Sequence, residues 1–251
     1  MNSNMRVILI TGGSRGIGAS TAIHCARKGF GVILTYRQDM KAALDVVRRI
    51  QQEGGTAAAL SLDLGETASF RSFRNAVQET MEVCWGKRQL GGMVNNAGYG
   101  LFNPIATVTE EQFDGLMDVH LKGPFFLTQA LLPVLEDGAG IVNVTSATTR
   151  VATAGVAPYA AFKGGLEVLT RYMAKEFGHK RIRVNAVSPG PIRTELGGGL
   201  TPEFEALLAS QTALGRIGEP DDVGRVIAAL LSNDGGWING QSVEVAGGYV
   251  V

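Results

Sequence analysis

The sequence has very little cysteine and no long apolar run. Its 251 residues include two cysteines, Cys25 and Cys84, which form neither a disulfide framework nor a metal-binding spacing. We therefore expect a reducing compartment, the cytoplasm, and no bound metal. No apolar run approaches the roughly 18 residues that a membrane span needs, and the segment 1–6 is too short and too polar for a signal peptide.

An excess of charge of one sign is also missing. Lysine and arginine total 23, aspartate and glutamate total 23, and the formal net charge is zero. A neutral chain has no general attraction to nucleic acid or to an anionic membrane surface, so neither is expected as a partner. Apolar residues make up 45% of the chain and charged residues 18%, a balance that favours a packed core over disorder.

Apolar, β-branched runs alternate with helical patterns along the chain. This alternation predicts an α/β fold with one doubly wound sheet of about seven mainly parallel strands and helices on both faces. We find no linker and no internal repeat, so a single domain over 1–251 is expected. The predicted strands are 7–10, 32–35, 56–62, 92–95, 140–144, 182–187 and 242–245. The predicted helices are 17–28, 40–53, 66–83, 110–136 with an interruption at Gly123-Pro124, 157–178 and 202–213.

One segment, 191–214, reads as an insertion into this alternation. It carries three consecutive glycines at 197–199, followed by the short helical pattern at 202–213. Glycines supply flexibility, so the segment predicts a mobile lid over a substrate pocket. A loose surface loop is the alternative.

A glycine-rich turn follows the first predicted strand and precedes a helical pattern. Its glycines have the spacing GxxxGxG. Glycines at such a turn let the backbone approach a pyrophosphate, and the free N–H groups of the following helix bind that anion. The turn therefore predicts a dinucleotide site in a Rossmann-like fold, with the cofactor-binding residues Gly12, Ser14, Arg15, Gly16, Ile17 and Gly18.

The end of the second strand predicts which dinucleotide binds. That strand ends at Tyr36 and Arg37, with no acidic residue before Asp39. An acid at this point holds the ribose hydroxyls of NAD and repels a 2′-phosphate, whereas an arginine pairs with that phosphate. Arg37, together with Arg15 in the glycine turn, therefore favours NADP(H) over NAD(H).

Three further residues form a candidate proton-donor group, in which the tyrosine gives the proton. Tyr159 and Lys163 lie four positions apart in a helical pattern and hence on one face, and Ser146 follows the fifth predicted strand. The lysine ammonium and an oxidised nicotinamide are expected to lower the pKa of the phenol from its usual value of about 10. Tyr159 then exchanges a proton with a carbonyl or alcohol, whose oxygen Ser146 places.

Taken together, these motifs resemble the short-chain dehydrogenase/reductase family over nearly the whole chain, and in particular its 3-oxoacyl-acyl-carrier-protein reductase-like members. The matching segments are TGxxxGxG at 11–18, NNAG at 95–98, the Ser–Tyr–Lys triad, the PG segment at 188–194 and GRxGxP at 215–220. The resemblance implies hydride transfer at the nicotinamide and a homotetramer, or a homodimer. It also implies that Tyr159 and Lys163 contact the cofactor, along with Asp63, Leu64, Asn96, Ala97, Gly98, Pro189, Gly190, Ile192 and Thr194.

The chain departs from the family pattern at two positions. His120 stands where the family usually has an asparagine that holds a water in a relay from the catalytic lysine to solvent. Our hypothesis is that His120, a residue that titrates near ~6.5, supports the same relay as a catalytic residue. A merely packed histidine is the alternative. Ala246 replaces the aspartate of a VDGG segment, for which we expect no effect on the chemistry.

The favoured interpretation is an NADP(H)-dependent oxidoreductase that acts on a small carbonyl or alcohol substrate, with 3-oxoacyl thioester reduction as one specific activity. Sugars, steroids, hydroxy acids and small diketones stay open. Apolar residues in the expected pocket walls at 99–103, 148–156 and 191–214 favour an uncharged or weakly polar substrate. The alternative is a catalytically weak NADPH-binding sensor or interaction protein on the same fold.

Overall fold

A seven-stranded sheet, parallel throughout, forms the centre of the computed structural model, which describes residues 5–251. Residues 1–4, part of the segment expected not to be a signal peptide, lie outside the described residues. The strands are β1 (Val7–Ile10), β2 (Gly31–Tyr36), β3 (Thr56–Ser61), β4 (Leu90–Asn95), β5 (Leu135–Val144), β6 (Arg183–Pro189) and β7 (Ser242–Val245).

Helices connect successive strands, as parallel pairing requires. They are α1 (Gly16–Arg27), α2 (Met40–Gln52), α3 (Phe70–Trp85), α4 (Glu110–Met117), α5 (Gly123–Leu131), α6 (Ala157–Glu176), α7 (Pro202–Ser210) and α8 (Pro220–Leu231). Between 5 and 251, no helix is long and apolar enough to cross a membrane.

The sheet buries a different core on each face. Alternate residues of β1 point to opposite sides, because side chains alternate along a strand. Val7 and Leu9 join one apolar cluster with α3, α5 and α6, while Ile8 and Ile10 join another with α1, α2 and α8. The predicted α/β sheet with helices on both faces is confirmed.

The strand order is β3-β2-β1-β4-β5-β6-β7. The chain therefore winds outward from β1 in one direction and, after β3, crosses back to β4 and winds in the other. Ligands of such sheets bind at the carboxyl ends of the strands beside this reversal, which here lies between β1 and β4. The loops that follow these two strands are the glycine turn and the NNAG segment.

The structure differs most from the prediction in β5, in the helical pattern at 110–136 and in α8. β5 begins at Leu135, so the pattern expected to be helical to 136 ends earlier, at 131. A π-helical turn at Asp118–Lys122 divides that pattern directly before the interruption predicted at Gly123-Pro124. Helix α8 was not predicted, although Glu219 and Asp222 form a capping box around Pro220, which is a recognisable start signal.

Candidate active site

A cleft of about 520 Å³ opens at the carboxyl ends of the strands. All the residues that the sequence predicts for cofactor binding and for catalysis border this cleft. The nominated residues that border the cleft are Gly12, Ser14, Arg15, Gly16, Ile17, Gly18, Tyr36, Arg37, Asp63, Leu64, Asn96, Ala97, Gly98, His120, Ser146, Tyr159, Lys163, Pro189, Gly190, Ile192 and Thr194.

The glycine turn has a backbone that other residues would not adopt. Gly12 and Gly16 have φ angles of +65° and +54°, in the left-handed region. A Cβ on Gly18 would lie 2.2 Å from the Gly12 carbonyl oxygen, so only glycine lets α1 start this close to the turn. No side chain caps the start of α1. Its first N–H groups therefore stay available to an anion, which fits a dinucleotide pyrophosphate.

Asn96 supports the glycine turn through hydrogen bonds. Its side-chain amide donates to the carbonyl oxygens of Thr11, at 2.9 Å, and Gly12, at 3.1 Å. In return, the Thr11 hydroxyl accepts from the backbone N–H groups of Asn96 and Ala97. The amide of Asn96 is thus engaged by the protein, which makes it a support of the turn as well as a residue of the cleft wall.

Two arginines border the cleft near the end of β2, namely Arg37, which follows that strand, and Arg15 in the glycine turn. Among residues 5–251, Arg37 has no carboxylate within ion-pair distance, and Arg15 lies 3.4 Å from an exposed Glu195 oxygen. The nearest acid in sequence, Asp39, is engaged differently, because its carboxylate accepts from the N–H of Ala42 and caps α2. This arrangement suits a phosphate better than two ribose hydroxyls.

Ser146, Tyr159 and Lys163 meet where β5 and α6 approach each other. Tyr159 and Ser146 both border the cleft, and the Ser146 side chain acts to lower the pKa of the Tyr159 phenol. The Lys163 ammonium lies 5.7 Å from the centre of the Tyr159 ring and donates to the Val144 carbonyl at 2.7 Å. Thr148 donates to the Ser146 hydroxyl oxygen from both its N–H, at 3.2 Å, and its hydroxyl, at 2.9 Å. With its oxygen occupied in this way, Ser146 has its own proton free to donate.

Burial sets the proton affinities of this group. It lowers the pKa of Lys163 to about 8, so the amine keeps its proton at neutral pH. It raises the pKa of Tyr159, an effect that the Ser146 side chain partly offsets. In the chain alone, desolvation of the phenolate outweighs its partners. The predicted lowering of the phenol pKa includes the charge of an oxidised nicotinamide and stays a prediction.

The outer part of the cleft carries apolar side chains. Tyr99 and Leu196 border it with 37% and 49% of their surfaces exposed, and the neighbouring Phe102 is 61% exposed. The loops at 99–103 and 148–156 are joined by a hydrogen bond from the Asn103 N–H to the Gly155 carbonyl at 2.8 Å. The segment 191–214 carries α7 beyond them. Of the predicted pocket walls, 99–103 and 191–214 contribute lining residues to the cleft, whereas no residue of 148–156 borders it.

An acidic acyl-carrier protein needs free positive charge near the cleft, and the candidates for it, Arg150, Arg193 and Arg216, are all paired within the chain. Arg150 contacts Glu244 and the carbonyls of residues 249 and 250. Arg193 pairs with Glu205 and with Glu219, which ties the start of the 191–214 segment to α7 and to the start of α8. Arg216 pairs with Asp222. Their charges are therefore largely neutralised within the chain.

Some residues of the cleft were not nominated from the sequence. Most of them directly flank nominated ones at strand ends, a positional signal that would have found them. Thr35 is an example, because its hydroxyl accepts from the Gly12 N–H at 3.1 Å and so fixes the glycine turn. The lining residues outside both the predicted site residues and the predicted pocket walls are Thr35, Gln38, Asp39, Leu62, Val119, Val144 and Thr145.

Comparison with known proteins decides the family. The family described as Enoyl-(Acyl carrier protein) reductase matches residues 12–250. The chain belongs to the short-chain dehydrogenase/reductase family. One relative, a probable tetrahydroxynaphthalene reductase of Zymoseptoria tritici, is 34% identical over 96% of this chain and 93% of its own length.

Solved structures of short-chain dehydrogenases/reductases share the whole fold. The angucycline C-6 ketoreductase LanV with bound NADP superposes with a TM-score of 0.93, at 34% identity, over 98% of this chain and 95% of LanV. A blue fluorescent protein from a metagenomic library, in complex with NADPH, gives a TM-score of 0.90 at 32% identity over the full length of both chains.

His120, which replaces the usual asparagine of the family, is buried beside Tyr159. Its Nε2 lies 2.8 Å from the Tyr99 carbonyl oxygen, which can only accept, so Nε2 carries the proton. Its Nδ1 has no hydrogen-bond partner among residues 5–251. The ring meets the Tyr159 ring edge-on at 4.9 Å between centres. Burial and the nearby Lys163 charge lower the pKa of His120 to about 3, well below the expected 6.5.

The low pKa of His120 gives a prediction for stability. Because the folded protein resists protonation of His120, the free energy of unfolding decreases as the pH falls through the pKa of this histidine in the unfolded chain, near ~6.5. Between pH 7 and 5 this histidine is expected to cost the wild type about 2 kcal/mol of unfolding free energy. His120→Asn removes that slope, whereas His179→Asn, at an exposed histidine, leaves it. Urea unfolding at both pH values measures the difference.

The same burial predicts the pH dependence of activity. His120 stays neutral between pH 6 and 8, so His120→Asn is expected to leave the shape of the kcat/KM profile unchanged there. A relay through His120 then operates by hydrogen bonding from a neutral ring rather than by titration. An inflection between pH 6 and 7 that disappears in the variant contradicts this.

Proposed function

We propose that this protein reduces a ketone with NADPH, or oxidises the corresponding alcohol in reverse. One observation carries the proposal, namely that Ser146, Tyr159 and Lys163 converge on the same cleft as the glycine turn and Arg37. A pure NADPH sensor has no need of the first three residues. The sensor alternative is therefore not favoured.

The residues present fit an NADP(H) molecule lying along the cleft. The open N-terminus of α1 would receive the pyrophosphate, and Arg37 with Arg15 would hold the 2′-phosphate. Asp63 and Leu64 would border the adenine, and Lys163, Gly190 and Thr194 the nicotinamide half. When bound, the cofactor supplies the hydride to the substrate carbon.

The chain itself supplies the proton and the placement of oxygen. Ser146 donates its free proton to Tyr159 or to the substrate oxygen, which leaves the Tyr159 proton directed at that oxygen. As the carbonyl becomes an alkoxide, Tyr159 gives up this proton. Lys163, protonated at neutral pH, stabilises the phenolate that remains. His120 packs against the Tyr159 ring and restricts its movement.

The substrate class we propose is a planar, uncharged ring ketone. Tyr99, Phe102 and Leu196 give the mouth an apolar and partly aromatic surface, and α7 adds exposed Phe204 and Leu207. Flat apolar rings bury well on such a surface. The names of two relatives, a tetrahydroxynaphthalene reductase and an angucycline ketoreductase, agree with this class. The internal pairing of Arg150, Arg193 and Arg216 disfavours an acyl-carrier thioester.

Four features complete the proposal. The chain acts as one domain over 1–251 in the cytoplasm, and the segment 191–214 serves as the substrate lid, anchored by Arg193. The protein assembles as a homotetramer. Support for assembly comes from the apolar side chains that α5 and α6 leave exposed, Phe125, Phe126, Val168 and Tyr172. Sedimentation velocity measures the assembly directly.

Cofactor titration followed by a substrate panel tests the function. Fluorescence titration is expected to show NADPH bound more tightly than NADH by at least about tenfold. The panel then compares 2-tetralone, acetoacetyl-coenzyme A and dihydroxyacetone phosphate. We expect 2-tetralone to be reduced with the highest kcat/KM. Faster turnover of the thioester or of the sugar phosphate overturns the proposed substrate class, and binding of neither cofactor overturns the function.

A further inference from the structure

Glu167 gathers three hydroxyl groups beside the catalytic serine. Its Oε1 lies 3.0 Å from the hydroxyl of Thr145, 3.2 Å from that of Thr149 and 3.2 Å from that of Ser242. The three partners come from different parts of the fold, namely the end of β5, the short 3-10 turn after Ser146, and the start of β7. One carboxylate oxygen thus joins three segments to helix α6.

Glu167 lies on the same face of α6 as the catalytic residues. Tyr159, Lys163 and Glu167 follow one another at intervals of four, so they form one line along the helix. Tyr159 and Lys163 reach the cleft from the first two turns. Glu167, half-buried one turn further on, reaches the backbone that carries Ser146.

Ser146 lies between two of the hydroxyl residues that Glu167 contacts. Thr145 precedes it and is buried, and Thr149 follows three positions later. The Thr149 hydroxyl also lies 3.0 Å from the Ser146 carbonyl oxygen, and the Thr145 hydroxyl 3.1 Å from the Val187 carbonyl. Each hydroxyl has one proton, and a carboxylate is the stronger acceptor.

We infer that Glu167 is a positioning residue, which holds the 145–149 segment, and with it the Ser146 hydroxyl, in register with Tyr159 and Lys163 on α6. This role rests on the proposed reductase function, because it concerns the placement of the substrate oxygen. Glu167 does not touch the cleft itself, and its effect passes through Thr145 and Thr149.

The inferred role is distinct from an electrostatic effect on Lys163. The Lys163 ammonium donates to the Val144 carbonyl, and its pKa is lowered by burial. Glu167 is therefore expected to change kcat without moving the pH at which activity falls on the alkaline side. An electrostatic role predicts the opposite, a shift of that limb in a variant without the carboxylate.

The experiment compares Glu167→Leu, Glu167→Gln and the control Glu176→Leu, which changes an exposed carboxylate on the same helix. In Glu167→Leu the two threonine hydroxyls retain their backbone acceptors, so the fold is expected to survive. Because the Ser146 hydroxyl is then no longer held in place relative to Tyr159 and Lys163, kcat for 2-tetralone is expected to fall by about tenfold. The Kd of NADPH is expected to stay within about twofold, and Glu167→Gln, whose amide oxygen still accepts, to recover most of the rate.

A double-mutant cycle with Thr149→Val completes the test. The two changes are expected to be less than additive in both kcat and melting temperature, because they break the same contact. Should Glu167→Leu fail to fold, the cycle is run with Glu167→Gln. The inference is overturned by kcat within twofold of the control, by a matching loss of NADPH affinity, by a shifted alkaline limb, or by additivity. A wild type that reduces no ketone overturns the proposed function instead, and the cycle in melting temperature still reports on the Glu167 contact.

Discussion

Tyr159→Phe is expected to lower kcat for ketone reduction by about three orders of magnitude, within the range for loss of a general acid. The variant keeps the ring that packs against His120, and it loses only the phenolic hydroxyl. Among the residues described, the only other phenol that borders the cleft near Ser146 is that of Tyr99. Its backbone carbonyl, and not its hydroxyl, is bonded to His120. Single-turnover reduction measured with saturating NADPH checks this.

Tyr172→Phe is the matched control for that change. Tyr172 lies on the same helix and is 64% exposed. Phenylalanine keeps the apolar ring that the proposed assembly uses, so loss of the hydroxyl alone is expected to leave the rate unchanged. The affinity of Tyr159→Phe for NADPH should stay within a few-fold of the wild type, because the glycine turn and Arg37 are untouched. A residual rate above about a tenth of the wild-type value contradicts the role of Tyr159 as the proton donor.

The fold was predictable because its signals are local and repeated. Four-residue β1 is apolar throughout, which matches a strand buried on both faces, and the glycine turn follows it directly. The same logic failed at β5. Its first half, 135–139, contains two acids and a glycine, so its strand character comes from pairing of Leu135 with Leu90 and not from its own composition.

The identities of the site residues were predictable, but their proton affinities were not. Spacing places Tyr159 near Lys163, and nothing in the spacing measures how completely each is buried. Burial raises the pKa of Tyr159 and lowers that of Lys163. It also lowers the pKa of His120 to about 3. Desolvation depends on the whole packed cleft, which a sequence pattern of a few residues does not contain.

The contacts of Glu167 show a further limit of the sequence pattern. Its position at intervals of four after Tyr159 and Lys163 is visible in the sequence, but an acidic residue on a helix usually faces solvent. Only the structure shows that β7 and the turn after Ser146 bring three hydroxyl groups to it. Long-range convergence of this kind follows from topology, since Ser242 and Glu167 lie 75 positions apart.

The preference for NADPH over NADH is expected to collapse in Arg37→Ser. Arg37 has no competing carboxylate within ion-pair distance among residues 5–251, so its full charge is available to a 2′-phosphate. A charge-assisted bidentate contact contributes about 1.5–3 kcal/mol, which corresponds to a Kd for NADPH raised by about 10- to 150-fold. The Kd for NADH should change less than twofold, since that cofactor lacks the phosphate.

Two comparisons make the Arg37 result specific. Arg171→Ser removes one positive charge from an exposed position on α6, away from the cleft, and is expected to leave both affinities unchanged. Arg15→Ser should have a smaller effect than Arg37→Ser, because Arg15 already shares its charge with Glu195. The Arg37 variant should also show a shallower dependence of NADPH affinity on salt, as one charge pair is lost. Equal weakening of NADPH and NADH in Arg37→Ser shows instead that Arg37 supports the adenosine pocket as a whole, and the phosphate contact must then be reassigned to Arg15.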